Sequence, residues 1–310
     1  MADCGIVYVA TKHDRYLEEA FLSANSVKER FPDLSITLFT DLPGHALCTT
    51  DRFDKVEPID GVKGFASGWA EGQLNRLRHL PHTPYVRTLH IDSDTRVLTE
   101  DLPWLFDLLE QIDVAMVETA TDDSYSRKHF GRPMYNAGLL LYRRNDRVWA
   151  LLEEWIRLSE RNFRLAGEKP LPGMPVVEHI ADEEVRRKLL FMDQISLVEI
   201  LSPDVNRFGL AVKTLDYSWN NRGSRQPEKN RVPVKILHAP ALKGLTHADI
   251  LEVAFRWKRA GRAAQAKTLY NYIDSKYPDT RPAPLRVLGG GAPVAGRTPA
   301  SGVSDPSSRS

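Results

Sequence analysis

The chain has 310 residues, of which 42% are hydrophobic and 27% charged, with 42 Lys and Arg against 41 Asp and Glu for a formal charge of +1. That balance describes a globular protein with a sizeable core, and it gives no global electrostatic reason to expect a nucleic acid or an acidic membrane as partner. Two cysteines, Cys4 and Cys48, are too few for a disulfide framework. No apolar stretch reaches the roughly 18 residues that a membrane span needs, and no secretory leader is recognisable, so the expected location is cytoplasmic.

In chain order, Gly5 to Ala10 is an unbroken β-rich apolar run, the pattern of a strand buried on both faces. A helix is expected from Tyr16 to Phe31, with Asp14 as N-cap and Pro32 as its stop, followed by a second strand, Ser35 to Thr40. This β–α–β opening predicts an α/β fold with a mostly parallel sheet flanked by helices. Lys55 to Ile59 reads as a short strand and Ala70 to Leu80 as a helix. Val86 to Ile91 is the next strand and runs directly into Asp92-Ser93-Asp94-Thr95. Further on, Leu102 to Gln111 is read as helix, Val114 to Val117 and Leu139 to Tyr142 as strands, and Val148 to Glu160 as helix. Phe163 to Asp182, rich in Pro and Gly, is expected to be a mobile loop. Helical sequence returns at Glu183 to Leu190 and after Met192. Val234 to His238 is a late strand, and His247 to Tyr277 has helical composition. From Asp279 onward apolar periodicity is lost and a disordered tail is expected.

The chemically informative feature is the carboxylate pair Asp92 and Asp94 at the end of a buried strand. In open α/β sheets ligands bind beyond the carboxyl ends of strands. Two carboxylates converging there repel one another, and a hard divalent cation, Mg²⁺ or Mn²⁺, relieves that repulsion while also taking substrate phosphates. The competing reading is a plain turn, which also favours Asp and Ser. His238, likewise after an apolar strand, suits a neutral imidazole ligand or a simple hydrogen-bonded residue.

Beyond these residues the sequence resembles the GT-A fold glycosyltransferases, in particular the glycogenin-like and galactosyltransferase-like group, glycosyltransferase family 8 and its relatives. The resemblance runs over residues 5 to 245 as an ordered series of motifs. These are Val7-Tyr8-Val9-Ala10-Thr11 with Tyr16-Leu17 and Ser23-Ala24, Leu38-Phe39-Thr40-Asp41, and Pro84-Tyr85 through Leu89-His90-Ile91-Asp92-Ser93-Asp94-Thr95. Tyr135-Asn136-Ala137-Gly138, Asp193-Gln194, and Trp219-Asn220 with Ile236-Leu237-His238 complete the series. The family's usual lysine in the helix before the metal motif is absent, and Gln73, Arg76 and Arg78 stand in that stretch.

The resemblance implies a GT-A domain over residues 1–245, a helical C-terminal extension over 246–278 and the tail over 279–310. It implies transfer of a hexose from a nucleotide-diphosphate sugar, with UDP-sugar the leading donor, to an unidentified acceptor with retention. Asp92, Asp94 and His238 would hold Mn²⁺ or Mg²⁺, and Thr11, Lys12, Tyr16, Asp92, Ser93 and Lys243 would face the donor. Asn136, Asp193 and Gln194 would lie at the reacting sugar.

Each assignment has a plainer counterpart: a core role for Tyr16, a surface role for Lys243, a turn at Asn136-Ala137-Gly138 and a helix cap at Asp193. A haloacid-dehalogenase-type phosphatase also uses two aspartates after a strand, but its Thr or Val two residues on is Arg96 here. A nucleotidyltransferase would need a Gly-rich loop where Thr11-Lys12-His13 stands. The remaining alternative is a catalytically silent sugar-nucleotide or glycan-binding protein on the same scaffold. The basic residues Arg256, Lys258, Arg259, Arg262 and Lys267 read as a solvated face, with peripheral contact to an anionic lipid surface or a partner as the alternative.

Overall fold

The computed structural model describes residues 3–119, 130–131, 133–222, 233–238 and 246–277. Its centre is a seven-stranded sheet built from β1 (Cys4–Ala10), β2 (Ser35–Thr40), β3 (Lys55–Pro58), β4 (Arg87–Ile91), β6 (Val114–Glu118), β7 (Tyr135–Arg143) and β10 (Val212–Leu215). The order is β10-β6-β7-β4-β1-β2-β3. β1, β2, β3 and β4 run parallel, as do β6 and β10, while β7 lies antiparallel between β4 and β6, and β8 (Leu201–Ser202) and β9 (Val205–Asn206) form a separate antiparallel pair.

The period-two alternation of β6 and β7 divides the core. Ala115, Val117, Leu139 and Leu141 join one apolar cluster with Leu17 and Phe21 of helix α1 (Asp14–Lys28) and Leu105 of α3 (Leu102–Leu108). Val114, Met116, Leu140 and Tyr142 join the other, against Leu151, Leu152 and Trp155 of the helix α4 (Asp146–Gly167). Helices thus cover both faces, which is why the strands read as continuous apolar runs.

Four local expectations change. The N-cap of α1 is His13, and Asp14 lies in the first turn, where a carboxylate favours the helix dipole. Asn136-Ala137-Gly138 is not a turn before β7 but part of that strand, because β7 continues across a register shift opposite Met116 and Val117 of β6. Phe163 to Asp182 is not a loose loop. Helix α4 runs on to Gly167, and Met174, Val177 and Ile180 are buried against Leu189 and Leu190 of α5 (Glu183–Leu190). Finally, β11 (Ile236–His238) leaves the main sheet to pair antiparallel with the short β5 (Thr95–Val97).

The two C-terminal helices, α7 (Thr246–Arg259) and α8 (Ala263–Lys276), dock on α1. Trp257 packs edge-on to Phe21 at 5.9 Å, and the buried Glu18 accepts hydrogen bonds from Tyr272 Oη at 2.7 Å and Tyr277 Oη at 2.9 Å. Two of the five basic residues take part in this docking. Arg256 pairs with Glu29 at 3.0 Å, while Arg262 pairs with Asp51 and lies over the Trp257 ring. Among the described residues no helix is long and apolar enough to cross a membrane. The tail after residue 277 and Lys243 lie outside the described residues.

At the sheet's far edge Asp113 joins β6, β7 and β10. Its fully buried carboxylate accepts from the Ala211 N–H, Arg143, Arg147 and Asn145 at 2.8 to 2.9 Å. Burial alone would raise its pKa, but the Ala211 N–H and the two guanidinium groups outweigh that and hold it below the ordinary carboxylate range. Because the folded pKa is the lower one, the stabilisation is present above about pH 4 and is lost as pH falls through the folded value. Asp113→Ala is expected to cost about 2 kcal/mol in urea unfolding at neutral pH, with the difference from wild type shrinking in acid.

Candidate functional site

The site forms where β4 ends. The Asp92 N–H donates to the Gly138 carbonyl at 3.0 Å, so Asp92 and Gly138 are cross-strand neighbours just past the Ile91–Leu139 pair. The chain then turns through Ser93 and Asp94 into β5. Pairing of β5 with β11 places His238 directly opposite Thr95, one residue beyond Asp94. The three predicted metal residues therefore converge although His238 comes late in the sequence. His238 Nε2 lies 3.2 Å from Asp94 Oδ1 and 3.6 Å from Asp92 Oδ2. One ligand atom from each of the three residues falls within 4.8 Å of the others.

Gly138 makes room for this convergence. A Cβ built there would meet Asp92 Oδ2 and His238 Nδ1 at 2.8 Å and would press still closer on His238 Cε1. Its φ is not in the left-handed region, so close approach rather than backbone freedom selects glycine.

A second group reaches the site from α2 (Gly68–His79) and α6 (Asp193–Val198). Arg76, unassigned in the sequence reading, bridges two carboxylates. One guanidinium nitrogen lies 2.5 Å from Asp92 Oδ1 and the other pairs with Asp193. Gln73, one helical turn earlier on the same face, accepts the Asp193 N–H at 3.0 Å and donates to the Phe191 carbonyl. The indole N–H of Trp155 donates to the Asp193 carbonyl at 2.8 Å. Asp193 is the first residue of its helix behind the N-cap Met192, and its carboxylate is committed to Arg76. Arg78 points elsewhere, to Glu160.

The two carboxylates that share Arg76 titrate in opposite directions. For Asp92, burial is outweighed by the Arg76 guanidinium and by His90 and His238, which hold the carboxyl far below the usual range. For Asp193, burial dominates and pushes the carboxyl up despite the same guanidinium. Asp193 has the Arg76 guanidinium alone beside it, where Asp92 also faces the His90 and His238 rings, and it is the more deeply buried of the two, at 2% exposed.

Gln194 is held through its side-chain oxygen, which accepts the Ala137 N–H at 3.0 Å, leaving its amide N–H₂ as the free donor. Asn136 Oδ1 accepts the Gly138 N–H and the Asn220 amide, both at 2.8 Å. Asn136, Asp193 and Gln194 thus gather beside the Asp92–Asp94–His238 cluster.

The β1–α1 junction carries Thr11, Lys12 and Tyr16. Lys12 has φ +74°, and its N–H donates to the Asp41 carboxylate at 3.0 Å while its ammonium pairs with Glu71 of α2. Thr11 Oγ1 accepts from Asn75 of the same helix at 3.2 Å, and Tyr16 is 41% exposed, with its ring 6.1 Å from that of His13. Helix α2 therefore touches both the junction and the carboxylate cluster. A lone positive-φ lysine and a helix aligned on two loops leave no sequence signature, whereas Arg76 and Gln73, spaced i, i+3, do mark one helical face.

No family model and no curated protein matches the sequence. Among solved structures the chain is similar to the galactosyltransferase LgtC in complex with donor and acceptor sugar analogues. The two share 17% identity over 76% of this chain and 87% of that one, with a TM-score of 0.47. It is also similar to the bifunctional glycosyltransferase WbbM, at 16% identity, 76% and 45% coverage and TM-score 0.47. A third similar structure is the glycosyltransferase GlyE of Streptococcus pneumoniae, at 18% identity, 76% and 55% coverage and TM-score 0.46.

Proposed function

We propose that the chain is a metal-dependent glycosyltransferase of the GT-A type. It transfers a hexose from a nucleotide-diphosphate sugar, with UDP-sugar the leading donor, to an acceptor hydroxyl with retention. The observation that carries this reading is the convergence of Asp92, Asp94 and His238 at the carboxyl end of β4, beside a second buried carboxylate, Asp193. Two carboxylates and an imidazole form a donor set suited to Mn²⁺ or Mg²⁺, and the missing side chain at Gly138 leaves them the room to meet. When bound, such an ion supplies charge neutralisation at the departing diphosphate.

In this reading the bond from the anomeric carbon to the diphosphate oxygen breaks, a bond to the acceptor oxygen forms, and the acceptor proton leaves with the nucleoside diphosphate. Tyr16 stacks on the base and Thr11 and Lys12 line its edge. Asp92 and Ser93 face the donor ribose. Arg76 keeps the Asp193 carboxylate oriented despite its burial. Asn136 and Gln194 offer amide hydrogens to sugar hydroxyls, since each has its side-chain oxygen already engaged. Residues 1–245 form the transferase unit and 246–278 its helical extension.

The test is a thermal-shift panel of UDP, GDP, CDP and ADP, each with Mn²⁺ and with chelator. One nucleotide at about 100 times its dissociation constant is expected to add about 2.7 kcal/mol of stability with Mn²⁺ and little with chelator. No shift with any of the four would remove the donor site.

A silent sugar-nucleotide-binding protein is the second reading, and Arg76 favours it. Its guanidinium already provides Asp92 and Asp193 with a cation in the absence of any ligand. Release of free sugar from the donor that gives the shift separates the two readings.

A further inference from the structure

Whether a histidine can ligate a metal through Nε2 depends on which ring nitrogen carries the proton, and here a chain of hydrogen bonds decides it. The chain begins at the Gly138 backbone N–H, which can only donate. The Asn136 side-chain atom 2.8 Å from it is therefore the amide oxygen. That same oxygen lies 2.8 Å from the side chain of Asn220, so the Asn220 atom facing it must be the nitrogen. The Asn220 oxygen is thereby turned to the other side, where it meets His238 Nδ1 at 2.7 Å. An amide oxygen accepts only, so His238 Nδ1 carries a proton and donates it. Nε2, facing Asp92 and Asp94, is thereby the nitrogen whose lone pair is available to a metal.

We propose that Asn220 is a positioning residue that sets the metal-binding tautomer of His238, with Asn136 and the Gly138 N–H fixing the orientation of its amide. The inference rests on the metal reading of Asp92, Asp94 and His238. Asn220 is 2% exposed and ends the 3₁₀ turn Tyr217–Asn220, which Asp216 caps through Ser218. Backbone bonds lock the turn to β11. The Lys235 N–H donates to Ser218, the Asn221 N–H to Ile236 and the His238 N–H to Asn221, at 2.8 to 2.9 Å. Trp219 anchors it from the other side, fully buried and stacked on Trp104, with the Lys235 ammonium 4.4 Å from its ring centre. The amide cannot rotate to present its nitrogen to His238 without setting oxygen against oxygen at Asn136 and leaving buried polar groups unpaired. Partners of this kind, which orient a ligand's ring and fix its tautomer, typically matter 10- to 100-fold in metal affinity.

The experiment has two arms. In ¹⁵N-histidine-labelled full chain, imidazole shifts of His238 are recorded without metal and with Mg²⁺. The proton is expected on Nδ1 in both states. A detectable population with Nδ1 bare overturns the proposal, whether or not the protein binds metal. In the second arm the Mn²⁺ dissociation constant is measured from free-ion electron paramagnetic resonance for wild type, Asn220→Ala and Asn220→Asp. Asn220→Ala is expected to weaken Mn²⁺ binding about 10- to 100-fold. Asn220→Asp keeps an acceptor for Nδ1–H while setting its second oxygen against Asn136 Oδ1, and is expected to weaken binding clearly less than Asn220→Ala. Equal weakening in both variants would assign Asn220 a packing role only and overturn the proposal. If Asn220→Ala fails to fold, the wild-type shifts and Asn220→Asp still decide. Failure of wild type itself to bind Mn²⁺ would overturn the metal reading, which is a different result from a bare Nδ1.

Discussion

Asp94→Ala is expected to weaken Mn²⁺ binding by about 100-fold or more, to abolish the metal-dependent nucleotide shift, and to leave the folded state intact. The carboxylate makes one close approach to His238 Nε2, at 3.2 Å, and lies at the mouth of the site with its side chain 20% exposed. It belongs to no apolar cluster and spans no two strands. Its removal takes away a ligand and also the like-charge neighbour of Asp92, so the melting temperature should stay within about 2 °C of wild type. Asp92 is the wrong choice for this test, because it is also tied to Arg76 and borders His90. Its loss would leave a buried guanidinium half-paired and confound binding with folding. The measurements are Mn²⁺ titration and a melt of the same Asp94→Ala preparation. Wild-type metal affinity in the variant would remove Asp94 from the donor set. A collapse in melting temperature would show that the cluster holds the fold together rather than a ligand.

Asp92 and Asp94 were legible because the cue is local: an apolar strand followed at once by two carboxylates one residue apart. The central strands were legible for the same reason, since β1 and β2 are buried on both faces and read as unbroken apolar runs. Where an element depends on contacts distant in sequence, the local pattern carries less. His238 meets Asp94 only because β11 abandons the main sheet for β5, a choice that three residues of apolar pattern cannot express. Asn136 and Gly138 carry low strand propensity and suit a turn, yet Asn136 pairs with Val117 of β6 and the Gly138 carbonyl accepts the Asp92 N–H, which holds them in the strand. Phe163 to Asp182 looked loose because Pro and Gly break its periodicity, whereas three apolar residues at irregular spacing anchor it. Arg76 shows the limit most clearly. Its helix was expected, but that its guanidinium reaches both Asp92 and Asp193 follows from how α2 packs against β1 and α6. Proximity of that kind has no trace in spacing.

Gly138→Ala should disturb the same site without removing any ligand. The added methyl would project at Asp92 Oδ2 and the His238 ring, at or inside 2.8 Å, and real Cβ atoms do not sit that close to a neighbour. The backbone cannot retreat, because its N–H is held by Asn136 Oδ1 at 2.8 Å and its carbonyl by the Asp92 N–H at 3.0 Å. The ring is therefore the part that moves. Displacing it pulls Nε2 away from the two carboxylates and Nδ1 away from Asn220 together. Overpacking of this sort costs about 1–3 kcal/mol of stability. Metal affinity is expected to fall at least 10-fold, comparable to losing the partner that orients the ring. Gly72→Ala is the matched control. A Cβ there meets nothing within 4 Å, and it lies inside α2, where alanine in place of glycine gains about 0.5–1 kcal/mol. Manganese titration and urea unfolding of both variants separate crowding at the site from a general effect of adding a methyl group. Undiminished Mn²⁺ affinity in Gly138→Ala would mean that the ion, if bound, does not sit between Asp92 and His238.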